Sequence, residues 1–137
     1  MTKKVVITGS FDPVTSGHLF LLAQAQKLFD EVYMVILVNP DKTYSLSVDE
    51  RLALLKNAVK GYGDVKVFAY DGYACDFCES VGADLMLRGV RNAKDLEYEL
   101  DLRRQNLEYK GIDTMILVTD EKHKNVSSTF VREHGHE

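Results

Sequence analysis

The sequence has no long hydrophobic run, no signal-peptide core and no excess of positive charge. No stretch of about 18 apolar residues is present to span a membrane. The N-terminal segment MTKKVVITGSFD reaches Gly9, Ser10 and Asp12 too soon to supply a signal-peptide core. The chain has 17 Lys and Arg against 21 Asp and Glu, a formal net charge of −4, so it has no global attraction for nucleic acid. We therefore expect a cytoplasmic protein with neither a membrane nor a nucleic acid as partner.

Internal repeats, low-complexity segments and linker-like stretches are also missing. The 137 residues are the size of one domain. The composition, 45% hydrophobic and 28% charged, is typical of a globular protein with a sizeable core. The sequence therefore predicts a single domain over residues 1–137.

Cysteine is scarce: Cys75 and Cys78, in the segment CDFC, are the only two. A zinc site needs two further ligands, and the histidines near the C-terminus show no paired ligand spacing. Cys75, Cys78 and Val81 recur at helical spacing, and a free Cys behaves as a small hydrophobe. We expect the pair to pack in the core, and we predict no metal-ligating residues. A thiol redox protein built on the pair is the remote alternative.

Neither of the common phosphate-binding glycine motifs is present. The segment GSFDPVTSGH, from Gly9 to His18, lies between an apolar run and an amphipathic stretch, where a helix N-terminus would offer N–H groups to an anion. A Walker loop is excluded because Val14 stands where its second Gly belongs, and G-x-G-x-x-G does not occur here. The sequence shows no Ser-His-Asp triad either. The segment needs another explanation.

Short β-branched runs alternate with segments of helical periodicity along the whole chain, which is typical of a parallel sheet covered by helices on both faces. The predicted strands are residues 5–7, 32–38, 65–69, 84–87 and 114–118. The predicted helices are residues 17–29, 47–60, 73–81 and 92–107, with a short last helix from Ser127. Ser47 and Glu50 form a capping box before the second helix. The expected fold class is α/β, a Rossmann-like doubly wound parallel sheet of five strands.

Polar segments follow the predicted strands, at the edge of the sheet where open α/β proteins bind their ligands. Taken singly, Lys42 or Lys124 is most simply a solvated surface charge, and His18 a capping or surface histidine. Their shared location favours a site for a phosphate or a nucleotide. The residues suited to such a ligand are Ser10, His18, Lys42, Arg88, Arg91, Lys122, His123, Lys124, Ser127, Ser128 and Thr129.

Three segments in this order, GSFDPVTSGH, RGVRNAKDLEYEL and NVSSTFVRE, resemble the phosphopantetheine adenylyltransferases, the nucleotidyltransferases of coenzyme A biosynthesis. The resemblance runs from Lys3 to about Glu133. The signature of the wider group is His-x-Gly-His, with Thr usually first in this enzyme type, and here it reads Thr15-Ser16-Gly17-His18. The resemblance implies the nucleotidyltransferase type of the predicted fold.

The resemblance also implies a reaction. The phosphate of 4'-phosphopantetheine would attack the α-phosphorus of ATP, giving dephospho-coenzyme A and pyrophosphate. A phosphate nucleophile is already ionised near neutral pH, so alignment and charge neutralisation remain for the protein to provide. The catalytic residues implied are His18, which stabilises the transition state, Lys42 beside the transferring phosphate, and Ser10 between the two substrates. Gly17 would permit close approach of the backbone beside His18.

The resemblance assigns further residues to the two substrates. The residues implied for 4'-phosphopantetheine are Ser10, Lys42, Ala74 and Arg88, of which Arg88 holds the phosphate. The residues implied for ATP are Ser10, Phe11, His18, Gly89, Val90, Arg91, Glu99, His123, Lys124, Asn125, Val126, Ser127, Ser128 and Thr129. Mg²⁺ would be bound mainly through the ATP phosphates, and the chain would form a homohexamer.

Alternatives remain open from the sequence. Arg91 and Glu99 could instead form a surface salt bridge, and Ser127 could be an ordinary N-cap. The chain could be a related cytidylyltransferase with another acceptor, or an inactive nucleotide-binding module. The given sequence also ends with STFVREHGHE, whereas members of the family usually continue through at least one further helix.

Overall fold

A computed structural model describes residues 2–119 of the chain. Its five strands are β1 (Lys4–Gly9), β2 (Glu31–Leu37), β3 (Lys66–Tyr70), β4 (Leu85–Val90) and β5 (Asp113–Val118). Its four α-helices are α1 (Ser16–Leu28), α2 (Val48–Ala58), α3 (Ala74–Val81) and α4 (Ala93–Lys110), and a 3-10 turn covers Lys60–Tyr62. Strands and helices alternate from β1 to β5, as the hydrophobic periodicity predicted.

All five strands are parallel and lie in the order β3-β2-β1-β4-β5, which is a doubly wound α/β sheet. The predicted fold class is therefore confirmed. The order reverses beside the central strand β1, because β2 lies on one side of it and β4 on the other. In the pairing of β1 with β2, Gly9 stands opposite Ile36, so the two strands end at nearly the same level. The segments after β1 and β2 consequently leave the sheet side by side.

Each face of the sheet is covered by its own hydrophobic cluster. One cluster joins Leu22 of α1 and Leu55 of α2 to strand residues that include Ile7. The other contains Cys75 and Cys78 of α3. Both thiols are free and buried, which confirms the packing prediction. Burial raises the pKa of Cys75, and it raises that of Cys78 to about 12. Such thiols are poor sources of the reactive thiolate.

The helix boundaries differ from the sequence prediction by a few residues. α1 begins at Ser16 because Thr15 caps it. α4 continues to Lys110, three residues beyond its expected end, and stops where Gly111 adopts φ +70, a left-handed conformation that suits glycine. α2 ends at Ala58, and the 3-10 turn takes over its predicted last turn. Ser47 and Glu50 form the predicted capping box.

The predicted last helix from Ser127 lies outside the described residues. Within residues 2–119, no helix combines the length and the apolar character that crossing a bilayer requires.

Candidate active site

The loop after β1 ends in a capping box in which a histidine occupies the third helical position. Thr15 accepts a hydrogen bond from the backbone N–H of His18 at 3.4 Å. In return, the backbone N–H of Thr15 donates to Nδ1 of His18 at 2.9 Å. A backbone N–H can only donate, so Nδ1 must be the acceptor, and a neutral ring then carries its proton on Nε2. The fold therefore presents His18 as a donor through Nε2.

The surroundings of His18 favour its neutral form. The ring lies 4.5 Å from that of Phe11, centroid to centroid. Burial, assisted by the positive charge of Arg88, lowers the pKa of His18 to about 4. At neutral pH the imidazole is uncharged. It can therefore interact with an anion through one N–H donor but not through a positive charge.

The bend after β1 depends on Phe11, a predicted ATP-binding residue. Its backbone adopts φ +47, a left-handed conformation that is uncommon for a bulky residue. Its side chain is 1% exposed and packs in the cluster with Leu21 and Leu22. Burial of the ring holds the backbone in this conformation, and such held strain is common at functional loops. Ser10, just before it, is half-buried.

The two glycines predicted at the site have different structural reasons. A Cβ at Gly89 would lie 2.7 Å from Cγ2 of Thr119, so packing requires glycine there. A Cβ at Gly17 would make only ordinary contacts, the nearest at 3.6 Å with Thr15 Oγ1. Packing within the described residues therefore does not require glycine at position 17.

Arg88 lies in β4, and two residues, Glu99 and Thr8, orient its guanidinium. Nε and Nη2 donate to the two carboxylate oxygens of Glu99, at 3.0 and 2.9 Å. Nη1 donates to the carbonyl and hydroxyl oxygens of Thr8, at 2.8 and 3.1 Å. If each contact uses its own hydrogen, these four bonds leave one of the five N–H groups for a ligand. The side chain of Glu99 is 7% exposed, so this ion pair is largely buried.

Glu99 and Arg91 do not pair with each other, and that alternative from the sequence is wrong. Glu99 faces Arg88, while Arg91 meets Asp95 one helical turn along, with Nε 3.2 Å from Oδ2. The backbone N–H of Arg91 also donates to Asp95. Asp95 lies in the first turn of α4, where the helix dipole favours a carboxylate, while Glu99 is buried further along the helix. Val90, the last residue of β4, is buried.

Lys42 lies in the segment after β2 and is exposed. Its backbone N–H donates to the carbonyl oxygen of Asn39, which closes a tight turn. Its ammonium group stands 5.9 Å from the ring centroid of Tyr44. The side chain is thus free of ion pairs among residues 2–119 and lies on the segment that runs beside the loop of Ser10.

A cavity of about 560 Å³ opens at the carboxyl edge of the sheet, within the usual size range of small-molecule sites. Three predicted residues, Ala74, Arg88 and Glu99, line it together. Ser10, His18 and Lys42 are not among its lining residues. Polar lining residues that the sequence did not single out are Thr8, Asn39, Asp41, Asp71, Tyr73, Tyr98, Asn106 and Thr114.

The structure also brings two further residues to the site that the sequence analysis did not predict. Asp12 accepts hydrogen bonds from backbone N–H groups after β2, and Arg51, 1% exposed, reaches the carbonyl oxygen of Ser10. Asp12 lies inside the quoted motif. Arg51 is one turn before Leu55 on the apolar face of α2, so a charged residue in a core position was the available signal. The predicted ATP residues from His123 to Thr129, and Lys122, lie outside the described residues.

Comparisons with known proteins show which proteins this chain is similar to. The cytidylyltransferase-like family model matches residues 6–134. A phosphopantetheine adenylyltransferase of Christiangramia forsetii is 42% identical, over 98% of this chain and 89% of its own length. Proteins of the same name from Staphylococcus haemolyticus and Chromobacterium violaceum are 39% and 41% identical, over 95% of this chain and 81% and 80% of their own lengths.

Similar solved structures support the fold alone. A lipopolysaccharide core biosynthesis protein from Thermoplasma volcanium superposes with a TM-score of 0.60 at 24% identity, over 86% of this chain and 96% of that one. A universal stress protein in complex with cAMP has a TM-score of 0.55 at 16% identity, over 87% and 98%. Both agree with a doubly wound α/β sheet.

Proposed function

The chain belongs to the cytidylyltransferase-like family and, within it, to the phosphopantetheine adenylyltransferases, and on this basis we propose that it transfers the adenylyl group of ATP to 4'-phosphopantetheine. The products are dephospho-coenzyme A and pyrophosphate. The bond between the α- and β-phosphates of ATP breaks as an oxygen of the acceptor phosphate bonds to the α-phosphorus.

The observation that carries this proposal is that His18 has a neutral ring that can donate only through Nε2. The Thr15 N–H occupies Nδ1, and the low pKa keeps the ring uncharged, so Nε2–H is the group that meets substrate. An ionised phosphate nucleophile needs no base, and a neutral imidazole with Nδ1 occupied provides none. A fixed donor is what charge developing on α-phosphoryl oxygens requires.

Lys42 and Ser10 complete the proposed catalytic group. Two anions must approach each other in this reaction, so a mobile cation and a hydroxyl between them lower the repulsion and align the acceptor. Lys42 supplies the ammonium group and Ser10 the hydroxyl. Their loops follow β2 and β1, the two strands that end side by side.

Arg88 is proposed to hold the phosphate of 4'-phosphopantetheine, with Ala74 along the same cavity. Since Glu99 and Thr8 together take up four of the five guanidinium N–H groups, Arg88 would contribute its charge and one further N–H rather than a full fork. Glu99 itself was implied as an ATP contact. Both of its carboxylate oxygens accept from Arg88, which favours a role in orienting that side chain.

For ATP, the proposal retains the residues at the ends of β1 and β4. Phe11 shapes the turn beside His18, while Gly89, Val90 and Arg91 lead from β4 into α4. His123 to Thr129 remain proposed contacts of the triphosphate.

We also propose Mg²⁺ as a cofactor that arrives on ATP. Within residues 2–119, no group of three His, Cys, Asp or Glu side chains is arranged to hold a metal ion. Mg²⁺ usually keeps several waters and few protein ligands, so the phosphates of ATP can hold most of it. Neutralisation of the triphosphate charge is the chemistry that it supplies when bound.

A homohexamer in the cytoplasm is the remaining part of the proposal, and it rests on the family resemblance and on the use of ATP. The helix segment from Glu99 to Leu107 would lie near the subunit interface. Light scattering at micromolar concentration should give the mass of six chains. A fully active monomer would contradict the assembly without affecting the reaction.

Pyrophosphate release tests the reaction itself. We expect release only when ATP, Mg²⁺ and 4'-phosphopantetheine are all present. CTP in place of ATP, and choline phosphate in place of the acceptor, are the controls. Equal release with either would indicate a cytidylyltransferase, and nucleotide binding without release would indicate an inactive binding module.

A further inference from the structure

Two charged side chains join the loops that carry the proposed catalytic residues. The first loop, residues 10–15, follows β1 and contains Ser10. The second loop, residues 38–47, follows β2 and contains Lys42. Asp12 of the first loop and Arg51 of α2 both contact the second loop, on its backbone.

Asp12 binds the second loop through both of its carboxylate oxygens. Oδ2 accepts from the N–H of Ser45 at 2.7 Å, and Oδ1 accepts from the N–H of Leu46 at 2.9 Å. Each of two successive backbone donors thus has its own carboxylate oxygen, whereas in an amide one of these two positions would be an NH₂ group, which cannot accept. The sequence separations of 33 and 34 residues make this a tertiary connection between the loops.

Arg51 closes the same connection from the helix. Nε donates to the carbonyl oxygen of Leu46 at 3.2 Å, and Nη1 donates to that of Ser10 at 3.0 Å. The guanidinium carbon lies 4.0 Å from the ring centroid of Tyr44, which belongs to the second loop. Among residues 2–119, this guanidinium contacts two carbonyl oxygens and an aromatic ring, although it belongs to a charged side chain with 1% exposure.

We propose that Asp12 and Arg51 are positioning residues that fix the loop of Lys42 against the loop of Ser10, and that adenylyl transfer depends on this connection. The inference rests on the proposed function, in which Ser10 and Lys42 act on the same transferring phosphate. Leu46 accepts from Arg51 and donates to Asp12, so both ends of one peptide segment are held. Tyr44, between Lys42 and Leu46, is held by its contact with the guanidinium.

Amide hydrogen exchange on the full chain tests the connection without requiring activity. Asp12→Asn keeps the size of the side chain but removes one acceptor, and Arg51→Met keeps its length but removes its donors. Each should speed exchange in peptides from both loops. The matched controls are Asp64→Asn, at an exposed acidic residue, and Lys56→Met, at an exposed cation on α2. Faster exchange confined to the loop or helix that carries the substitution would overturn the proposal.

Kinetics then separate positioning from general stability. Displacement of catalytic groups by about 1 Å costs up to about 100-fold, so we expect Arg51→Met to lower kcat by about 10- to 100-fold with less change in KM for ATP. In a Lys42→Ala background, the same substitution should cost little more, since the group that it positions is gone. Arg51→Lys, which keeps the charge and one donor, should recover part of the loss.

An equal factor in both backgrounds, within about twofold, would mean independent effects and overturn the positioning role. So would unchanged kcat in a variant whose loops exchange faster. If Arg51→Met does not fold, Asp12→Asn carries both measurements, because its side chain is only half-buried. If the parent chain itself releases no pyrophosphate, the proposed function fails, and the exchange measurement alone decides whether the loops are joined.

Discussion

The backbone N–H of Thr15 donates to Nδ1 of His18 at 2.9 Å, so one contact both caps α1 and leaves Nε2 as the ring nitrogen that can donate. Glu or Gln usually fills this third helical position in a capping box. A histidine there gives the same cap with a donor on its far side. The helix start and the proposed catalytic donor are therefore one structural unit.

The first prediction separates these two roles of His18. His18→Ala should lower kcat by about 100- to 1000-fold, because a donor to charge that exists only in the transition state is lost, while ATP binding changes little. His18→Gln should retain more turnover, since its amide can accept from Thr15 and donate from the other end. Steady-state kinetics paired with ATP calorimetry on both variants is the measurement. Loss of ATP binding in proportion to rate would contradict the transition-state role.

The pKa of His18 leads to a prediction about acid stability. The unfolded chain binds a proton at His18 near pH 6.5, whereas the folded chain binds it only near pH 4. As the pH falls from 6.5 to 4, the unfolded state takes up protons that the native state does not, so the free energy of unfolding falls by roughly 3 kcal/mol. Urea unfolding of the parent and of His18→Gln should show this loss in the parent only.

The same low pKa predicts the pH dependence of turnover. Between pH 5.5 and 8, kcat should show no titration from His18. An inflection near pH 6.5 that His18→Gln removes would contradict a neutral donor.

Arg88 and Glu99 should affect one substrate more than the other. Arg88→Ala should raise KM for 4'-phosphopantetheine far more than KM for ATP, since a charge-assisted contact of about 1.5–3 kcal/mol is lost. Glu99→Gln keeps one acceptor and should cause a smaller change of the same selectivity. Arg104→Ala is the control, because its pair with Asp101 is exposed. If Glu99→Gln instead raised KM for ATP, Glu99 would be a nucleotide contact.

The two cysteines should be dispensable for the reaction. Replacing Cys75 and Cys78 together by Ala removes two buried sulfurs and should lower the free energy of unfolding by about 1–3 kcal/mol. Turnover below the unfolding transition should stay near the parental value. Zinc bound in stoichiometric amount, or turnover that follows the thiol redox state, would contradict the interpretation that the two cysteines only pack in the core.

Hydrophobic periodicity by itself determined the elements of this protein, because each strand and helix must bury its own face whatever lies across from it. Ser47 and Glu50 were likewise predictable, since a capping box spans three residues. The spacing of Cys75 and Cys78 predicted their burial for the same local reason. The family resemblance added the reaction and the identities of His18, Lys42 and Arg88.

Only the tertiary structure decided which polar groups meet. Arg88 bonds to Glu99, 11 residues along the chain, and Arg51 bonds to Ser10, 41 residues away. Neither contact produces a periodic pattern in the sequence. The sequence left open a salt bridge between Arg91 and Glu99. In the structure, Arg91 pairs instead with Asp95 at the start of α4. Which side chains can pair depends on where the loops leave the sheet. The ends of β1 and β2 come to the same level only when the two strands pair, so the sequence alone could not show that their loops are neighbours.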